Sequence, residues 1–141
     1  METKRDFYVE MNKRRRELLT ENIEDNNCIS TALYLVGERE ADTYIPCFTA
    51  ESLLSNLKKN DKPELGNILV FEDSNKNLVH TAVVVQEAPL KLATRNGVSK
   101  PFCKAQLYDE LRELYSTIGA YPAQFLIPSK LQKILEMEAQ Q

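Results

Sequence analysis

Histidine and cysteine are scarce in this chain of 141 residues, which has one histidine, His80, and three cysteines, at positions 28, 47 and 103. One histidine and three widely spaced thiols have no paired-ligand spacing, so the sequence predicts no metal site. An odd number of distant cysteines also predicts no disulfide framework. P-loop and Gly-x-Gly-x-x-Gly motifs are absent, and no organic cofactor is expected.

Long apolar runs and a strong net charge are lacking as well. No apolar run approaches the roughly 20 residues that span a bilayer, and the N-terminal stretch has no hydrophobic segment typical of a secretory signal. We therefore expect a protein made in the cytoplasm without a membrane partner, whose export would need an unconventional route of the kind used by effectors. The net charge of −3 argues neither for nucleic acid nor for an acidic partner, and nucleic acid is not expected as a partner.

Length and periodicity predict one domain over residues 1–141 with an α+β fold. Apolar spacings of three and four predict helices, and apolar runs bounded by turn residues predict strands. Helices, then an antiparallel meander, then helices indicate N-terminal helices packed on a small antiparallel sheet with C-terminal helices. The predicted helices are 5–20, 28–36, 50–59, 101–117 and 130–139; the predicted strands are 67–71, 78–86 and 91–95, with 121–128 extended.

Four consecutive bases, Lys13 to Arg16, fall within the first predicted helix. Acidic residues surround them along the chain, so the pattern favours a solvated helical face over a phosphate-binding patch.

Cys28 is the first candidate for chemistry. It follows Asn26 and Asn27, either of which can cap a helix, and it therefore lies in the first helical turn. There the amide N–H groups and the helix dipole favour negative charge, which predicts a lowered thiol pKa. A catalytic thiol needs a base, and His80, at the start of a valine-rich strand, carries the only imidazole. The alternative interpretation is a buried structural cysteine and a structural histidine.

The other thiols rank lower. Cys47 follows a proline in a segment predicted to be extended, so we expect a structural role. Cys103, near the start of the helix predicted from Pro101, is a rival nucleophile by the same dipole argument. The tyrosines are expected to be mainly packing groups, although one of them could donate to an oxyanion; they are residues 8, 34, 44, 108, 115 and 121.

Three segments resemble NlpC-type papain-like cysteine peptidases over about residues 26–98. They are Asn27-Cys28-Ile29-Ser30 for the family's Asp-Cys-Ser-Gly, Leu65 to Phe71 for Pro-Gly-Asp-Leu-Val-Phe-Phe, and the strand headed by His80 for His-Val-Gly-Ile-Tyr. The resemblance implies a papain-like fold and cleavage of an amide through a thioester. Cys28 would be the nucleophile, with its backbone N–H at the oxyanion, and His80 the general base and later the acid. Peptides, typically cell-wall peptides containing D-amino acids, would be the substrates.

The match departs from the family pattern at the residue that orients the histidine. Asn27 and Asn67 stand where the family has aspartates, and the polar third residue of the family falls on Leu92. Thr94 faces the same side and is the candidate substitute, with Asn96 as the other. Three hypotheses stay open. The first is a cysteine hydrolase acting on a peptide or amide, and the second is a catalytically inactive NlpC-like binding or effector domain with a regulatory protein partner. The third is weak nucleic-acid binding by the basic segment from Lys13 to Arg16.

Overall fold

In a computed structural model the chain has an α+β fold, with an antiparallel sheet that carries helices on both faces. The structure describes residues 2–20, 26–97 and 100–140. Within these ranges the helices are α1 (Lys4–Leu18), α2 (Cys28–Leu35), α3 (Cys47–Ser55), α4 (Tyr108–Ser116) and α5 (Ser129–Ala139). The strands there are β1 (Lys58–Asn60), β2 (Ile68–Glu72), β3 (Leu78–Glu87), β4 (Leu90–Arg95), β5 (Phe102–Leu107) and β6 (Tyr121–Ile127). Of the helices in the described ranges, none combines the length and apolar character needed to cross a bilayer.

The strands are ordered β1-β6-β2-β3-β4-β5. Strands β2 to β4 form the predicted meander, β5 extends it beside β4, and β6 returns between β1 and β2. A bulge interrupts the β2–β3 ladder, where Phe71 pairs with His80 but the next pair is Glu72 with Leu78. Such a bulge bends the strand and changes the direction of nearby side chains. It lies directly beside the only histidine.

The two faces of the sheet bury two separate apolar clusters. Side chains alternate along each strand, so neighbouring residues face opposite layers. Ile68, Val70 and Val83 pack with residues of α1, α2, α3 and α5. Leu69 and Phe71 pack instead with residues of α4. The helical layer that contains Cys28 and the layer of α4 are therefore separated by the sheet.

Two helix predictions are wrong in part. The helix expected over 101–117 is strand β5 followed by the shorter helix α4, because residues 102–107 complete the sheet beside β4. Cys103 therefore lies on a strand and has no helix terminus to activate it. The helix expected over 50–59 begins earlier, at Cys47, and ends at Ser55. Cys47, expected in an extended segment, is instead an exposed thiol in the first turn of α3.

The basic segment from Lys13 to Arg16 is only partly solvated, so the expectation of a solvated helical face is wrong in part. Lys13 and Arg16 are exposed, but Arg14 is buried. Its guanidinium donates to the carbonyl oxygens of Tyr34 and Arg39, the latter at 3.0 Å, and lies 4.6 Å from the centre of the Tyr34 ring. A cation is favourable at these carbonyls because they belong to the C-terminal end of α2 and the residues after it. Arg14 thus holds α1 to α2.

Gly66 lies where α1 crosses the turn before β2. Its φ of +85° is in the left-handed region, and a Cβ at this position would lie 2.8 Å from Cε1 of the buried Phe7 ring. Gly119 has a similar φ of +77°, but an added Cβ would meet nothing within 4 Å. Gly66 is therefore needed for both conformation and close packing, whereas Gly119 is needed for conformation alone.

We predict that Gly66→Ala destabilises the fold more than Gly119→Ala. Both substitutions carry the left-handed strain of roughly 1 kcal/mol, and only Gly66→Ala adds overpacking against Phe7, which costs roughly another 1–3 kcal/mol. Urea unfolding of the two variants measures the difference. Equal losses would show that α1 does not pack closely at this turn.

Candidate functional site

A capping box fixes the start of α2. The Asn27 side chain accepts a hydrogen bond from the Ser30 amide at 2.8 Å, and the Ser30 hydroxyl accepts one from the Asn27 amide at 2.9 Å. These reciprocal bonds satisfy amide groups that a helix terminus leaves unpaired. Of the two caps that the sequence allows, Asn27 is the one used, and Cys28 is the first helical residue.

A buried ion pair ties this helix start to the end of β4. Arg95 Nη2 lies 3.1 Å from Asp42 Oδ2, with both side chains 1% exposed. Asp42 also accepts from the hydroxyls of Ser30 at 2.6 Å and Thr31 at 2.7 Å, and Arg95 Nε donates to Thr31 Oγ1 at 2.8 Å. A buried charge is tolerated when its hydrogen bonds are satisfied in this way. Together these bonds hold α2 against the sheet.

The Cys28 thiol is buried, with 8% of the residue exposed. Burial raises the pKa of Cys28, because desolvation disfavours the thiolate. Hydrogen bonds from Thr81 and from the amides of Cys28 and Ile29 lower this pKa but do not outweigh burial. The expectation of a lowered thiol pKa is therefore wrong for this closed structure, although the amides that motivated it do act on the sulfur.

His80 is 1% exposed and lies on the α4 side of the sheet. Its ring stacks on Tyr115, with centroids 4.0 Å apart and an interplanar angle of 17°, and Phe71 lies 5.6 Å away. Burial lowers the pKa of His80 to about 3, since the imidazolium would lose its hydration. The imidazole is consequently neutral at physiological pH.

Thr94 contacts the imidazole directly. Its Oγ1 lies 2.9 Å from His80 Nε2 and 2.8 Å from the Thr81 carbonyl oxygen. A carbonyl only accepts, so the single hydroxyl proton of Thr94 goes to Thr81 and its oxygen accepts from Nε2–H. This arrangement favours the tautomer with hydrogen on Nε2, which leaves the Nδ1 lone pair as the base.

Cys28 and His80 lie on opposite faces of β3. Thr81 donates to the Cys28 carbonyl oxygen at 3.0 Å from the α2 side, whereas the preceding His80 points to the α4 side. The β3–β4 pairs end at Val83 with Ala93, so the two strands are not paired beside His80. Across residues 2–20, 26–97 and 100–140, no hydrogen bond joins the Cys28 sulfur to His80.

The Tyr115 hydroxyl is perturbed by its surroundings. Burial, and secondarily the charge of a Cys28 thiolate, raise the pKa of the Tyr115 hydroxyl above its usual value. The same side chain stacks on His80. Tyr115 is thus a residue of α4 in direct contact with the imidazole.

The other candidates have distinct positions. Leu92 packs in the α4-side cluster, and Asn96 accepts from the Tyr115 hydroxyl at 3.2 Å rather than from His80. Of the two candidate substitutes, Thr94 is thus the one in contact with the imidazole.

The sequence did not predict the ion pair of Asp42 and Arg95 or the stacking of Tyr115 on His80. A signal for Arg95 was present: it stands two residues after the inward-facing Ala93 on an alternating strand, where a charge requires a partner. Nothing in the sequence identified Asp42 as that partner.

No group of three or more histidine, cysteine or acidic side chains in the described part of the chain is arranged to hold a metal ion. Comparison with models of known families finds no match, and neither the curated proteins nor the solved structures show a significant similarity to this chain.

We predict that the buried neutral His80 makes the fold less stable in mild acid. Its folded pKa of about 3 lies below the unfolded value of about 6.5, so the unfolded chain binds the proton more tightly. This contribution to stability is nearly complete at pH 7.5 and is lost as the pH falls through 6.5 toward 3, by about 2 kcal/mol between pH 7.5 and 5.

Urea unfolding at pH 7.5, 6 and 5 measures this loss, and His80→Gln is the control because glutamine does not titrate. The variant should lose little stability over that range. An equal loss in His80→Gln would show that other groups cause it.

Proposed function

We propose that the protein is a cysteine hydrolase with a papain-like, NlpC-type arrangement, cleaving an amide through a thioester on Cys28. His80 is the general base and then the acid, and Thr94 is the third residue. The observation that carries the proposal is the 2.9 Å contact between Thr94 Oγ1 and His80 Nε2. Leu92, on which the third residue of the family falls, has no polar atom in its side chain to make such a contact. The Thr94 contact supplies an orienting group that directs the basic nitrogen away from Thr94.

The proposed reaction uses only groups of this chain. His80 Nδ1 takes the Cys28 proton as the sulfur attacks the amide carbonyl carbon, and the amide N–H of Cys28 stabilises the oxyanion. The C–N bond then breaks, and the imidazolium protonates the leaving amine. Water, deprotonated by His80, attacks the thioester, releases the acid and restores the thiol.

The proposed substrates are peptides or related amides, with cell-wall peptides as the class that the family resemblance implies. An effector amidase that is exported from the producing cell would use the same chemistry. Both ideas rest on the resemblance of Cys28, the Gly66 to Phe71 strand and His80 to the family segments.

A catalytically inactive NlpC-like binding domain is the second candidate. The observation that favours it is the burial of both groups, with Cys28 8% and His80 1% exposed. A binding domain would retain the buried thiol and imidazole as packing groups and would act through a protein partner.

The two candidates differ in how an acyl group on Cys28 behaves. We expect the chain to hydrolyse p-nitrophenyl acetate through an acyl-Cys28 intermediate when Cys47 and Cys103 are both replaced by serine. In that background Cys28→Ala should abolish the acyl adduct, and His80→Gln should reduce turnover at least about 100-fold.

Intact-protein mass spectrometry detects the adduct, and nitrophenol release gives the rate. Lys13→Ala, an exposed change on α1, is the matched control and should leave the rate unchanged. Turnover that is the same with and without His80 would eliminate the hydrolase and leave the binding domain.

A further inference from the structure

The His80 imidazole is held on one of its faces as well as at Nε2. The Tyr115 ring lies nearly parallel to it, with centroids 4.0 Å apart. Stacking of this kind resists tilting of the imidazole plane, whereas the bond from Nε2–H to Thr94 resists rotation that would exchange the ring nitrogens. The two contacts restrict different motions of the same ring.

Tyr115 is itself fixed in place. Its hydroxyl donates to Asn96 Oδ1 at 3.2 Å, and Asn96 Nδ2 donates to Gln106 Oε1 at 3.2 Å. The amide of Ala120 donates to the Tyr115 carbonyl oxygen at 3.0 Å. Because its one proton goes to Asn96, the Tyr115 hydroxyl is not a donor to the imidazole or to an oxyanion in this arrangement. Its effect on His80 comes through the ring.

We propose that Tyr115 is a positioning residue for His80, and that Asn96 acts on His80 only through Tyr115. Orientation of the base is thereby divided between two side chains: Thr94 sets the tautomer and Tyr115 sets the plane of the ring. The catalytic consequence rests on the proposed hydrolase function, but the positioning itself is a property of the folded chain.

The single histidine makes this measurable without activity. In protein labelled with ¹⁵N and ¹³C histidine, all histidine signals belong to His80. We expect the Nε2–H tautomer and ring protons shifted upfield by the stacked phenol. Tyr115→Leu should remove the upfield shift, and Tyr115→Phe should keep it together with the tautomer. Leu114→Ala, a change at an exposed position of the same helix, should leave the spectrum unchanged.

A double-mutant cycle decides the proposal if Tyr115→Leu does not fold. Asn96→Ala should change the His80 ring-proton shifts no more than Tyr115→Phe does, and it should cause no further change in Tyr115→Phe, where the hydroxyl is already gone. Additive changes in the cycle, or a His80 spectrum that Tyr115→Leu leaves as in the wild type, would overturn the positioning role.

Kinetics separate this proposal from the function on which it rests. If the chain hydrolyses p-nitrophenyl acetate, Tyr115→Leu should lower kcat about 10- to 100-fold with little change in KM, because a misplaced base slows the chemistry without weakening binding. The histidine spectrum decides the positioning role whether or not hydrolysis occurs, and the His80 dependence of turnover in the background without Cys47 and Cys103 decides the function.

Discussion

The buried ion pair between Arg95 and Asp42 is the constraint on which the rest of the site depends. It lies where the start of α2 meets the end of β4, and the hydroxyls of Ser30 and Thr31 complete it. A buried pair of this kind contributes little net stability compared with apolar packing, but its geometry is demanding because each charge needs defined partners. The position of α2 over the sheet, and with it the position of Cys28, is set by those hydrogen bonds and by the Asn27 cap.

Strand alternation then divides the site between the two faces of the sheet. Thr81 and Arg95 contact α2, whereas their neighbours His80 and Thr94 point to the α4 layer. In a fully paired sheet the two groups would be separated by backbone. Here the last β3–β4 pair is Val83 with Ala93, and beyond it the Thr94 side chain links the two strands through His80 Nε2 and the Thr81 carbonyl oxygen.

Local patterns predicted those parts of the fold whose signal lies within one segment. Helices α1, α2 and α5 and strands β2, β3 and β4 follow from periodicity and turn residues, and so does the α+β class. Residues 102–107 could not be predicted in this way, because their strand exists only through pairing with β4. At the candidate site, Cys28 and His80 were singled out by residue type and position, and Thr94 by the family resemblance together with strand alternation. Asp42 and Tyr115 were not, because each contacts its partner, Arg95 or His80, only through packing between segments that are far apart in the sequence.

Burial and hydrogen bonding act in opposite directions at Cys28, and they respond differently to opening of the site. Desolvation raises the thiol pKa and depends on the surrounding layers staying closed, whereas Thr81 and the amides of Cys28 and Ile29 lower it from within α2 and β3. Access of water to the sulfur would therefore remove the larger, opposing effect and leave the stabilising donors in place. The same access would raise the pKa of His80 toward its ordinary value. Opening would thus lower the thiol pKa and raise the imidazole pKa together, which is the direction that the proposed hydrolase requires.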